Sequence, residues 1–305
     1  MTQLTREVPW SQLGVDVSSA RNSQEAMRLA GLNWDVESKP IFDEHGNELP
    51  NFKANVRSDD DGLLGIVTDK YHIVQNADAF KFTDDLVNNG DIKYERAGVF
   101  RNGKSIWLLG KMPETKVLND EVAPYIVFIN SHDGSGSVRV AMTPIRIVCS
   151  NALNVALKNA SRTWSARHMG HIRTRLTEAQ HTLGLANNYM GALNEEAERL
   201  ANEKISDAQV EQVFALINPI DYKNDSERKI KNIMKIKQQM FECYAAADIS
   251  KYYGTMYGLL NAIADMTTHQ TPTRVARNFK ENNWLRITNG HPTLDTFYKT
   301  MTTAI

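Results

Sequence analysis

The pattern of apolar and polar positions changes near the middle of the chain: short runs divided by turn residues come first, and three-to-four-residue repeats follow. The runs 34–42 and 49–56 flank Asp43-Glu44-His45-Gly46-Asn47, and Asp59-Asp60-Asp61-Gly62 precedes a third run at 63–68. Short runs bounded by Gly, Asn and Asp predict strands joined by hairpin turns. Asn22, with Glu25 three residues on, has capping-box spacing and predicts a short helix carrying Ala26, Met27, Leu29 and Ala30. A second helix is expected over 76–87, ending where Asn88-Asn89-Gly90 supplies a left-handed cap. The clearest hairpin joins 92–100 to 104–109 through Arg101-Asn102-Gly103-Lys104, with Asn-Gly expected at the two positive-φ positions. Another joins 124–129 to 138–148 across Ser131-His132-Asp133-Gly134-Ser135-Gly136-Ser137.

After Ser150 the composition turns helical. Leu176, Ala179, Leu183, Ala186, Met190, Leu193, Ala197 and Leu200 recur in alternating steps of three and four, an apolar seam that predicts one long helix over 174–203. Its alanines permit close approach by another helix of the chain or by a neighbouring subunit. Further helices are expected over 206–217, 226–247, 255–266, 272–282 and 293–303, punctuated by Asn-Pro, Asn-Asp and Asn-Gly. The pattern predicts an α+β fold: an antiparallel sheet with hairpins and a long helix in a core domain over 1–204, then a helical region over 205–305.

A hydrophobic content of 42% over 305 residues suits a globular core, and no apolar run approaches the length of a membrane span. The first residues lack a basic segment leading into an apolar one, so a cytoplasmic location without membrane partners is expected. Cys149 and Cys243 cannot make a disulfide framework or a zinc site, and read as buried, reduced thiols. Charge changes the picture more. Although the formal net charge is -1, no acidic residue occurs between Asp133 and Glu178, a stretch that carries Arg139, Arg146, Lys158, Arg162, Arg167, Arg173 and Arg175. Clustered cations on a neutral background suit a polyphosphate partner.

Within that stretch, residues 162–175 interleave cations with Trp164, the two components with which proteins hold single-stranded nucleic acid. Arg146, Lys158, Arg162, Arg167, Arg173 and Arg175 are candidate phosphate contacts and Trp164 a candidate stacking platform, weighed against a core role for the indole. His168 extends the basic surface, and Arg101 and Lys104 at their hairpin tip would add a mobile basic finger. The glycine-rich loop 132–137 reads first as a hairpin turn: it has no Gly-Lys-Ser/Thr and no GxGxxG, and leads from strand to strand. Ser131, Ser135 and Ser137 nevertheless offer hydroxyl donors beside the basic run. The aspartates 59–61 lack the alternating spacing of a calcium loop. His132, Asp133, His168 and His171 supply titratable groups for a metal- or histidine-dependent nucleotide-processing enzyme, but no nucleophile elbow or HExxH accompanies them. No cofactor motif is present.

The series 65–76 (Gly-Ile-Val-Thr-Asp-Lys-Tyr-His-Ile-Val-Gln-Asn), 131–137, 144–153 (Pro-Ile-Arg-Ile-Val-Cys-Ser-Asn-Ala-Leu) and Arg167-His168 resembles the phage/plasmid-like proteins grouped under a domain of unknown function. The resemblance covers roughly 21–201 and implies a mobile-element origin without implying an activity. Hairpins feeding an antiparallel sheet beside a long helix are also similar, in architecture alone, to the single-strand annealing recombinases, which implies rings or filaments around DNA. The leading expectation is a non-enzymatic, homo-oligomeric protein that binds single-stranded DNA and promotes annealing. The alternative is an interaction protein that engages a host factor through the alanine seam and carboxy-terminal helices.

Overall fold

A computed structural model describes residues 7–169, 182–269 and 275–303. The chain runs β1 (Val15–Asp16), α1 (Ser23–Leu29), β2 (Val36–Phe42), β3 (Glu48–Arg57), β4 (Leu63–Thr68), α2 (Asn76–Phe80), α3 (Thr83–Asn88), β5 (Lys93–Phe100), β6 (Ser105–Lys111) and β7 (Thr115–Val117). Then follow β8 (Asp120–Ser131), β9 (Val138–Arg146), β10 (Thr163–Ala166), α4 (Thr182–Asn202), α5 (Asp207–Ile217), α6 (Glu227–Tyr244), a 3-10 turn (Ala247–Tyr252), α7 (Met256–His269), α8 (Phe279–Asn289) and α9 (Pro292–Thr303). All the strand pairs are antiparallel, which makes this an α+β fold. The main sheet has the order β1-β5-β6-β8-β9-β10, with β7 beside β8, and β2-β3-β4 form a separate small sheet.

The main sheet is covered on both faces, so β8 is buried almost throughout instead of alternating. On one face Ile106, Leu108, Ile126, Phe128, Val140 and Met142 enter a large core shared with the helices. On the other, Trp107, Leu109, Val127, Ile129 and Ala141 pack with Trp10, Trp284 and Ile287 in a smaller core. Each such side chain, fully buried, contributes about 1.5–3 kcal/mol. The large core extends from Val17 to Met301 and so crosses position 204. Helix α4 packs on α7, and α9 on α5 and α7.

Local signals operate where the sequence places them. The Asn22 side chain accepts from the Glu25 amide at 2.8 Å to start α1, and Ser206 and Gln209 cap α5 reciprocally. The seam residues Ala186, Met190, Leu193, Ala197 and Leu200 of α4 are buried in this chain's own core. Leu176 and Ala179 lie outside the described residues, as does the Leu183 side chain. Burial of the seam removes its described part from the surface that an oligomer or host factor would need.

Four expectations change. The helix expected over 76–87 is two, α2 and α3, because Thr83 Oγ1 donates to the Phe80 carbonyl at 2.6 Å and pairs with Tyr94 Oη at 2.7 Å, fixing a break between them. Residues after Ser150 form no helix up to residue 169: Ser150 turns back with φ 54, and Asn151 and Asn154 donate side-chain bonds to the Asn261 and Ile287 carbonyls. Residues 163–166 are instead β10, an edge strand on β9. Residues 272–274 of the helix expected over 272–282 lie outside the described residues; among those described the helix is α8, which starts only at Phe279, is anchored by Trp284 and Ile287 against the sheet and is ended by Gly290 at φ 98. Positive φ falls on Arg101 and Asn102 as well as Gly103, so the turn starts one residue earlier than Asn-Gly alone suggests.

Candidate anion-binding site

The loop between β8 and β9 is held from several sides. Asp133 Oδ1 accepts from Ser131 Oγ at 2.8 Å, the Ser135 amide at 2.9 Å and Ser135 Oγ at 2.6 Å, which closes the loop on itself. Those bonds, together with Arg101, hold the Asp133 carboxyl below its ordinary range against the opposing effect of burial. Tyr71 Oη donates to the Ser131 carbonyl at 2.6 Å, Asn55 Nδ2 to the His132 carbonyl at 2.8 Å, and the His132 amide to the Lys104 carbonyl at 2.8 Å. Gly65 of β4 lies so close that a Cβ there would stand 2.5 Å from Asp133 Cα. Such a loop is preorganised, which lowers the cost of binding a ligand.

Two cavities flank it. The first, about 650 Å³, opens between the strand ends and α8. Helix α8 presents Asn282, Leu285, Arg286 and Asn289, one helical stripe, and the sheet side supplies Ser105, Ser131, Arg139 and the hairpin residue Arg101. Its lining holds three arginines and no carboxylate among the described residues. Arg139 is the most informative. It sits on β9 opposite Ile129 and Ser165, and its Nη2 reaches Thr288 Oγ1 at 3.4 Å, while Nε is buried without a partner. It makes no ion pair among the described residues, and burial with Arg162 nearby pushes its guanidinium down to about 10. A desolvated cation without a counter-ion is costly, so this geometry favours an anion in the cavity.

The second cavity, about 790 Å³, lies across the loop, and Ser135, Gly136 and Ser137 line both. Ile66, Val67, Thr68, Tyr71, Arg167, His168 and Met169 complete much of its wall.

The sequence-derived surface does not survive as one groove. Arg146 is fully buried, with Nε 2.9 Å from Asp120 Oδ2, Nη1 3.2 Å from Asp248 Oδ2, and Nη2 donating to the Asp248 carbonyl at 2.7 Å. Two carboxylates neutralise it internally, so it leaves the candidate phosphate contacts. Arg162 leaves them too: it is buried and donates at 3.0 Å to the carbonyls of Met142 and Thr288. Trp164 is half-buried on β10 against the large core, which corrects its reading as an open stacking platform. His168 is buried, stacked on Tyr71 with centroids 4.7 Å apart, and burial lowers its pKa, so it adds no charge at neutral pH. Lys158 is exposed but faces other cavities, one lined also by Glu195, Glu196 and Asp295. Arg173, Arg175 and His171 lie outside the described residues.

Arg101, Lys104 and Arg167 remain exposed. The hairpin tip is not a free finger, since the Arg101 amide donates to Glu281 of α8 at 2.7 Å and its guanidinium reaches Ser135 Oγ at 3.3 Å. His132 is fully buried, pairs through Nε2 with Asn76 Oδ1 at 2.9 Å, and is pushed down to about 3 by desolvation. That makes it a neutral tie between loop and α2. The aspartates of the 59–61 turn meet cations: Asp59 and Asp60 face Arg57, and Asp61 pairs with Lys39. Arg286 was not singled out from the sequence, because no local pattern distinguishes it. Arg139 had a signal, membership of the acid-free run, but nothing there separated it from Arg146.

These features define an α+β protein whose two-faced antiparallel sheet ends in an arginine-walled cavity. The chain belongs to the family described as Domain of unknown function (DUF932), whose model matches residues 63–286. That span includes both hairpins, the loop and α8 as far as Arg286. Comparison with curated proteins and with solved structures found no match. No helix among the described residues is long and apolar enough to cross a membrane.

Proposed function

We propose that this protein binds single-stranded nucleic acid without chemical turnover, and that the strand's phosphates enter the cavity walled by Arg101, Arg139 and Arg286. The observation that carries the reading is the half-buried Arg139 guanidinium lining that cavity, whose Nε has no hydrogen-bond partner and which has no carboxylate partner among the described residues. Planar guanidinium groups grip phosphate through paired donors, and Ser137, whose hydroxyl is not spent on Asp133, adds a neutral one. Lys104 and Arg167 extend the positive surface to either side. Homo-oligomeric assembly and annealing of strands, implied by the architectural similarity alone, and a phage or plasmid origin, implied by the sequence resemblance, belong to the same proposal.

Titration of a labelled single-stranded DNA at several salt concentrations tests it. Affinity should fall steeply as salt rises, because neutralised phosphates release counterions, and Arg139→Met should weaken binding about tenfold or more. Absence of DNA retention at low salt would overturn the reading. Mass measurement with and without the DNA tests the assembly.

A further inference from the structure

The two cavities that share the β8–β9 loop differ in chemistry. The first carries three arginines and no carboxylate among its described lining residues. The second carries one exposed arginine, Arg167, with the Asp133 carboxylate set in the loop wall, and most of its remaining large surface is apolar or aromatic: Ile66, Val67, Tyr71 and Met169. Ile66 and Met169 are 58% and 52% exposed, although both are large apolar side chains at the mouth of a preorganised cavity. Asp133, whose Oδ2 also lies 4.0 Å from Arg101, offsets the single Arg167 of the second cavity, so a phosphate is drawn more strongly to the three arginines of the first. A neutral planar group has the opposite preference, since it gains from apolar contact and loses little to a carboxylate already bonded to Ser131 and Ser135.

Among the described residues, only Ser135, Gly136 and Ser137 are common to both walls. At Gly136 a Cβ would stand 2.9 Å from Ser131 Cβ, so the loop keeps its low profile by having no side chain there. A ligand bearing a phosphate and a flat base can therefore cross the loop with one end in each cavity.

We propose that the second cavity is a nucleobase subsite: an unpaired base of the bound strand packs against Ile66 and Met169, while its phosphate lies across the loop with Arg139 and Arg286. The inference rests on the nucleic-acid reading of the arginine cavity and adds to it a reason for preferring a single strand. A base paired within a duplex is not free to enter. The loop hydroxyls of Ser135 and Ser137 are placed to bond base edges or sugar without selecting one base, so recognition is broad in sequence.

The test uses the full chain, a short single-stranded oligonucleotide, the same oligonucleotide made with abasic sites, and inorganic polyphosphate. The variant Ile66→Asn, Met169→Asn changes two exposed positions and adds no charge. The wild type should bind the intact strand about tenfold more tightly than the abasic one. The variant should lose that preference while holding polyphosphate as before. Equal affinity of the wild type for intact and abasic strands, or a variant that still prefers the intact strand, would overturn the base subsite. If Arg139→Met then still weakens binding about tenfold or more, the arginine-cavity reading stands alone; if it leaves affinity unchanged, both readings fall.

Discussion

Arg139 and Arg146 lie on the same strand, β9, and differ in what surrounds them. Arg146 closes the strand inside the protein, bonded to Asp120 and Asp248, with Lys251 also holding Asp120 at 2.6 Å. Arg139 lies near the strand's start with one long bond to a threonine hydroxyl and no carboxylate partner among the described residues. The first is a cation whose charge is answered within the fold. The second keeps its charge unanswered, which the fold tolerates at a cost and an anionic ligand would relieve. Burial alone therefore does not separate structural from functional arginines; what answers the guanidinium does, two carboxylates for Arg146 and two backbone carbonyls for Arg162 against a single threonine hydroxyl for Arg139.

The sharpest way to break this comparison is Arg146→Met. It leaves Asp120 with Lys251 as its cation and sets an apolar side chain beside Asp248, and stability should fall by about 3 kcal/mol in denaturant unfolding. A loss below about 1 kcal/mol would mean that the pair is not the anchor described. The matching change, Arg139→Met, should leave the melting temperature unchanged or raised, since a desolvated cation is removed, while weakening single-strand affinity about tenfold or more. A large stability loss without a binding loss would reverse the roles assigned to the two arginines.

A smaller effect concerns the histidines behind the loop. His132 and His168 have folded pKa values lowered by burial, so over the range below the ordinary value of 6.5 the unfolded chain takes up protons that the folded chain refuses. Stability contributed by neutral histidines is complete above pH 6.5 and is lost as pH falls towards about 3, where His132 titrates in the folded state. The slope should approach about 1.4 kcal/mol per pH unit for His132, with His168 adding to it in the same direction. Melting temperatures recorded from neutral to acidic pH should show it, and His132→Gln should flatten the curve. The smallest expected effect is at Lys158, exposed and away from the loop: Lys158→Ser should change single-strand affinity by less than about twofold, and the salt dependence should stay as it was.

Much of the fold was legible from local rules. Asn22 caps a helix where its spacing predicts, the helices expected from 206 and 226 start there with Ser206 and Ser226 as caps, and the two hairpins fall on their expected runs. The helix after Ser150 was misread because Asn151 and Asn154 spend their side chains on carbonyls more than one hundred residues away, which no window along the chain reveals. The candidate site was legible only in part. Arg101, Lys104 and Arg167 were named from charge, and the loop serines from composition. The buried fates of Arg146, Arg162 and His168 follow from partners on other elements.

The sequence by itself determined where most strands and turns of the first half and several helix starts lie, because those depend on neighbouring side chains and backbone dihedrals. It also determined that a long acid-free segment carries positive charge. Which of those charges face a ligand was decided by tertiary structure alone: β9 sends Arg146 between two carboxylates from distant segments, and α8, arriving from the far end of the chain, closes a cavity over Arg139. A cation's role depends on the charges within a few ångströms of it, and folding sets those distances.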